Sequence, residues 1–303
     1  MVITEPGQIT PHLHFLGSST LCFYYIHGKT ESILVDAGVT ISAVSLAQQL
    51  HVLLVGPQQL TAIWLTHSHY DHLGSVPYLL QQFPGVQVGA HPVVKDVLAN
   101  PKAIEHIHRL LTESERRHPE IQLPPVAQFA AFAIQQELQD NELVELGDGV
   151  RIRVLYTPGH TRDSLSFYIL PDRALCGSDG LGVPSPTGFI QATFLSNYFD
   201  YLDSLHKMQQ LDIELLCLPH GGVIQGKEAV QEHFRRSLTE TMALRQRIEH
   251  YLKIYNGDSQ RVTKQICDED YQAQQIIQPI AAFLINLRAM VERTKKDLTE
   301  DTN

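Results

Sequence analysis

At 303 residues and 43% hydrophobic content, the chain is long enough to bury a full core and too apolar to be disordered. Its net charge of −10 at pH 7 argues against nucleic acid as a partner, which calls for a basic footprint. No run reaches the ~18 uninterrupted apolar residues of a membrane span, and the opening MVITEPGQIT lacks the basic and apolar regions of an export signal.

The four cysteines, Cys22, Cys176, Cys217 and Cys267, fall at no short spacing, so a cytoplasmic protein with reduced thiols is expected. The charge is unevenly spread. Residues 226 to 303 carry 12 of the 23 Lys and Arg and 12 of the 33 Asp and Glu, so the whole deficit lies in residues 1 to 225.

In chain order, LHFLG and TLCFYYI predict strands around a polar turn, SILVDAG a buried strand ending at Asp36, and VSLAQQL a helix. TAIWL is β-branched and apolar, a strand running into THSHYDHLG, after which LGSVPYLLQQF predicts a short helix. VQVGA is the next strand, and a polar helical insert is expected over about 92 to 118, broken by LPP. Strands return as RIRVLY, SLSFYIL and RALCGS, then a helix over roughly 196 to 210 and the strand ELLCL. From 226 onward the signal is helical only: Val230, Phe234, Leu238 and Met242 recur at spacing four, and Ile280, Leu284, Leu287 and Val291 at four, three and four. Residues 1 to 225 therefore read as an α/β catalytic domain and 226 to 303 as a helical cap.

Four loops just beyond predicted strands concentrate polar side chains among Gly and Pro: THSHYDH at 66 to 72, PGHTRDS around His160, CGSDG around Asp179 and LPHGG around His220. His67 and His69 alternate along an extended segment, so both imidazoles reach one ion. Asp71 and His72 fall after the bend and can face a second. Four such residues without metal would carry a large desolvation cost. Asp163 and Asp172 are alternative registers for Asp179, Asp36 reads equally as a turn cap before Gly38, and Cys176 reads as core within its apolar strand.

Together these loops spell HxHxDH…H…D…H, which resembles the metallo-β-lactamase-fold hydrolase superfamily over roughly residues 10 to 225. Retention of His72 points to its dinuclear, glyoxalase II-like branch. The whole-chain pattern, with Tyr70 inside the motif, ELVELGDG, the insert and the helical C-terminus, is similar to acyl-CoA thioesterases of that branch. The resemblance implies an αββα sandwich and two divalent transition metal ions, Zn, Fe or Mn. It implies that His67, His69 and His160 hold one ion, that Asp71, His72 and His220 hold the other, and that Asp179 bridges them.

Asp36 would orient a ligand imidazole and Asp71 the hydroxide that bridges the metals in this family. The reaction implied is hydrolysis of a small-molecule acyl thioester or lactone, with a phosphodiester, or a metal-loaded regulatory protein without turnover, as alternatives. Tyr70, Phe194 and Tyr198, and less directly Tyr251, are candidate substrate contacts. The C-terminal helices are expected either to cover the site or to pack as a homodimer element.

Overall fold

The computed structural model describes residues 1 to 54, 60 to 185, 187 to 273 and 280 to 300. The strands are β1 Val2–Ile3, β2 Gly7–Gln8, β3 Leu13–Ser18, β4 Leu21–His27, β5 Ser32–Val35, β6 Ala62–Trp64, β7 Gln87–Ala90 and β8 Gln136–Glu137. They continue with β9 Leu143–Gly147, β10 Val150–Tyr156, β11 Leu165–Leu170, β12 Ala174–Cys176, β13 Val183–Pro184, β14 Ile190–Gln191, β15 Leu215–Cys217 and β16 Val223–Gln225. The helices are α1 Ala43–Leu53, α2 Tyr70–Leu73, α3 Val76–Gln82, α4 Val93–Ala99, α5 Pro101–Arg117, α6 Tyr198–Gln209, α7 Lys227–Ile254, α8 Ser259–Gln272 and α9 Ile280–Glu300.

Two compact units result. The first, Met1–Tyr156, Asp163–Ser178 and Ile213–Gly226, holds two seven-stranded sheets, ordered β2-β3-β4-β5-β6-β7-β8 and β1-β16-β15-β12-β11-β10-β9. β5, β6 and β7 pair in parallel and are almost wholly buried, which is why ILV, after Ser32, and AIW read as unbroken apolar runs. β10 and β11 pair antiparallel, and β10 alternates buried and exposed residues along VRIR.

Phe15, Tyr24, Val35 and Trp64 from the first sheet interdigitate with Ile152, Val154, Phe167 and Cys217 from the second. The outer face of the first sheet, Tyr25, Leu34 and Ile63, packs on Leu46 and Leu50 of α1, Leu79 of α3 and Leu111 of α5. The insert is two helices because Pro101 cannot continue α4; Asn100 caps α5 by accepting from the Lys102 amide at 3.0 Å.

The second unit gathers Thr157–Arg162, Asp179–Asp212 and Lys227–Asn303. In it α7 packs on α6, β14, α8 and α9. The apolar stripes are rotated from their sequence reading. Val230, Phe234 and Leu238 are buried but Met242 is 44% exposed, and on α9 Leu287 and Val291 are buried whereas Ile280 and Leu284 are exposed. On α9 Phe283, Met290 and Thr294 are buried in their place; on α7 the uniform spacing of four overruns the helical turn of 3.6, so Met242 has drifted off the buried face.

His233 of α7 is buried and its Nε2 donates to the Leu181 carbonyl at 3.0 Å. Burial pushes this imidazole down to about 4. The folded state thus refuses a proton that the unfolded chain accepts below about 6.5, so the stability it contributes is present above that pH and is lost as pH falls toward 4. Urea unfolding of His233→Gln should show a flatter decline in stability than wild type between pH 6.5 and 4.

Candidate metal centre

β6 ends at Trp64, the chain bends at Thr66, and His69 is extended (φ −74°, ψ 152°) before the single helical turn α2. The sequence predicts a loop here; the helical turn separates His67 and His69 from Asp71 and His72. The His67 and His69 rings lie 4.6 Å apart and those of His67 and His72 4.0 Å apart. His72 and His220 follow at 5.7 Å.

Two groups of potential ligands form: His67, His69, His160 and Asp179, and Asp71, His72 and His220. Within each, one donor atom per residue lies within 4.8 Å of the others. The donor set, imidazole nitrogens and carboxylate oxygens from buried or half-buried side chains, fits a divalent transition metal.

Three histidines are oriented through Nδ1. His72 donates to Asp36 Oδ2 at 2.9 Å, His160 to the Thr193 carbonyl at 2.8 Å and His220 to the Thr20 carbonyl at 2.6 Å. Each acceptor holds the proton on Nδ1 and leaves the Nε2 lone pair for an ion. Accordingly, His160 Nε2 lies 3.7 Å from Asp179 Oδ2 and His220 Nε2 3.8 Å from Asp71 Oδ2.

Asp36 sits in the left-handed region (φ 62°) and is almost fully buried. Its Oδ1 accepts from the Thr66 amide and its Oδ2 from the Thr66 hydroxyl, both at 2.8 Å, as well as from His72. Turn and imidazole are thus tied by one carboxylate. Asp163 instead accepts from the Ser68 amide at 2.8 Å, fixing the backbone of the histidine motif. Asp172 engages His12 at 3.0 Å. Cys176 is fully buried in β12, and burial holds its thiol far above the usual range. None of these three belongs to either ligand group.

Only glycine fits before His160. Gly159 has φ 123°, and a Cβ there would stand 2.3 Å from the Tyr201 amide nitrogen. Its carbonyl accepts from the Ser196 and Asn197 amides at 3.1 and 3.2 Å, tying the loop to the start of α6.

Of the candidate substrate contacts, Phe194 is fully buried and meets Tyr198 edge-on at 5.2 Å. Tyr70 opens α2, half-buried. Tyr251 donates its hydroxyl to Glu269 of α8. His106 and His108 stay exposed on α5. The feature missed by sequence reasoning is Arg245, whose guanidinium lies 4.9 Å over the Tyr198 ring while paired to Glu249 and Asp297, each at 2.6 Å.

The model of the metallo-beta-lactamase superfamily matches residues 18 to 220. The chain belongs to that superfamily. Its mixed α/β fold, expected from the motif, is the fold of this family. The chain is 28% identical over 229 residues to the metallo-beta-lactamase fold-containing protein ST1585 of Sulfurisphaera tokodaii, covering 72% of this chain and 78% of that one.

It is 25% identical to an atrochrysone carboxyl ACP thioesterase of Aspergillus fumigatus, over 77% of this chain but only 58% of the relative. In structure it resembles the metallo-beta-lactamase family protein TTHA1429 of Thermus thermophilus with a TM-score of 0.63, at 22% identity, covering 97% of this chain and 95% of the other. That likeness carries the fold alone. Among the described residues no helix is long and apolar enough to cross a membrane.

Proposed function

We propose that this superfamily member is a dinuclear metal-dependent hydrolase of small acyl thioesters, with lactones as the next substrate class. The observation that carries the reading is the sorting of His67, His69, His160 and Asp179 and of Asp71, His72 and His220 into two ligand groups. A thioesterase among the relatives favours the thioester. The metals are divalent Zn, Fe or Mn, and a cytoplasmic setting accords with four buried, free cysteines.

Divalent ions bound there supply Lewis acidity and lower the pKa of a water from 15.7 toward about 7. The chain's own groups do the rest. Asp36 keeps His72 in the tautomer that presents Nε2. The side chain of Asp71, 20% exposed beside His220, orients the attacking water and accepts its hydrogen bond. Asp179 contributes the carboxylate of the first group, 3.7 Å from His160 Nε2, rather than the bridge between groups that the resemblance implies. Tyr198, backed edge-on by the fully buried Phe194 at 5.2 Å, is the aromatic assigned to the acyl group.

Burial raises the Tyr198 phenol, which keeps it neutral. Because a thiolate of pKa near 8.5 leaves with little protonation, no additional acid is required of the protein. The test is a panel of acyl-CoA thioesters, lactones and bis(p-nitrophenyl) phosphate against metal-replete protein. Thioesters are expected to turn over fastest. Turnover of the phosphodiester alone would replace the reading, and inertness toward all three would leave a metal-loaded binding protein.

A further inference from the structure

Outside the candidate centre, the first unit carries a second concentration of imidazoles. His12 precedes β3, His14 lies two residues on within β3, and His27 ends β4; the antiparallel register sets His14 opposite Tyr25. The His14 and His27 rings are 5.7 Å apart, and those of His12 and His27 6.4 Å. The first separation equals that of His72 and His220, which share a ligand group.

The outer support is also repeated. Asp172 Oδ1 accepts from His12 Nδ1 at 3.0 Å, as Asp36 does from His72, and Thr10 donates its hydroxyl to the other Asp172 oxygen. That bond leaves His12 Nε2 as the ligand atom. Burial lowers both His14 and His27, helped by His27 beside the first and His12 beside the second and opposed at His27 by backbone hydrogen bonds to Gly28 and Pro11, so both favour the neutral form in which an imidazole ligates. All three rings are half-buried, within reach of ions in solvent.

We propose that His12, His14 and His27, braced by Asp172, bind one additional borderline transition metal ion such as zinc. Among the described residues only the two groups of the candidate centre have donors within 4.8 Å of one another, so occupancy here requires the half-exposed rings to turn inward. An ion held by all three would connect the β3–β4 hairpin, through His12, to Asp172 in the turn between β11 and β12 of the other sheet. Binding to the folded state alone would then raise the melting temperature as zinc is added.

The experiment compares wild type with the His14→Gln/His27→Gln double variant, both first loaded to saturation at the candidate centre and then titrated with Zn2+. Elemental analysis should find one more ion per chain in wild type, and calorimetry a Zn2+-dependent rise in Tm that the variant lacks. Equal ion counts and equal Zn2+ responses would overturn the proposal. Should the variant fail to fold, wild-type protein with its candidate centre filled is titrated with Cu2+. Electron paramagnetic resonance should show the last ion coupled to two or three imidazole nitrogens, and no such coupling would overturn it equally.

Discussion

Replacement of Asp179 by Asn should lower kcat/KM by roughly 10³-fold or more and reduce the bound metal, while leaving the fold intact. The size follows from the chemistry: without its ions, the attacking water returns from a pKa of about 7 toward 15.7. Asn keeps the shape of the side chain, and the Thr193 hydroxyl bond to the Asp179 carbonyl at 2.8 Å involves backbone that the substitution does not alter. What is lost is the negative charge and one of two acceptor oxygens, from a carboxylate 3.7 Å from His160 Nε2. Activity assays, elemental analysis and circular dichroism on the same sample measure all three consequences. Full activity in the variant would remove Asp179 from the centre.

Asp36→Asn should act through His72 rather than on substrate. The carboxylate accepts three hydrogen bonds, two from Thr66 and one from His72, whereas an amide offers one oxygen and turns an NH2 toward a donor. Asn tolerates the left-handed backbone at φ 62°, so the turn itself survives. Misorienting a ligand imidazole typically costs about 10 to 100-fold in metal affinity or activity. A buried, mispaired donor adds about 1 to 3 kcal/mol of destabilisation. Metal titration and urea unfolding separate the two: an unchanged metal affinity with reduced stability would leave Asp36 as a turn residue only.

The histidine motif was legible because its information is local. Strand TAIWL ends where two alternating imidazoles project to one side, and a reversal of the chain must follow before LGSVPYLL. The structure supplies that reversal as the one-turn helix α2, too short for periodicity to reveal. The parallel strands were legible for a similar reason, since burial on both faces leaves no polar positions in SILV or AIW beyond Ser32.

What stayed hidden depends on contacts between distant residues. Asp36 could be a turn cap or an imidazole partner until folding brought His72, 36 positions on, to its carboxylate. Asp163, Asp172 and Asp179 are indistinguishable by composition, and only the backbone amide of Ser68, the ring of His12 and the ring of His160 tell them apart. The C-terminal helices misled in phase: Ile280 and Leu284 are exposed although they continue the stripe of Leu287 and Val291. Arg245 gave no signal at all, because a buried Arg is legible only through partners such as Asp297, 52 residues away.

The central claim is a two-ion centre, and anomalous diffraction from crystals of metal-loaded protein tests it most directly. The account predicts two peaks in that centre, one among His67, His69, His160 and Asp179 and one among Asp71, His72 and His220. A single peak there, or none under saturating Zn, Fe or Mn, would contradict it.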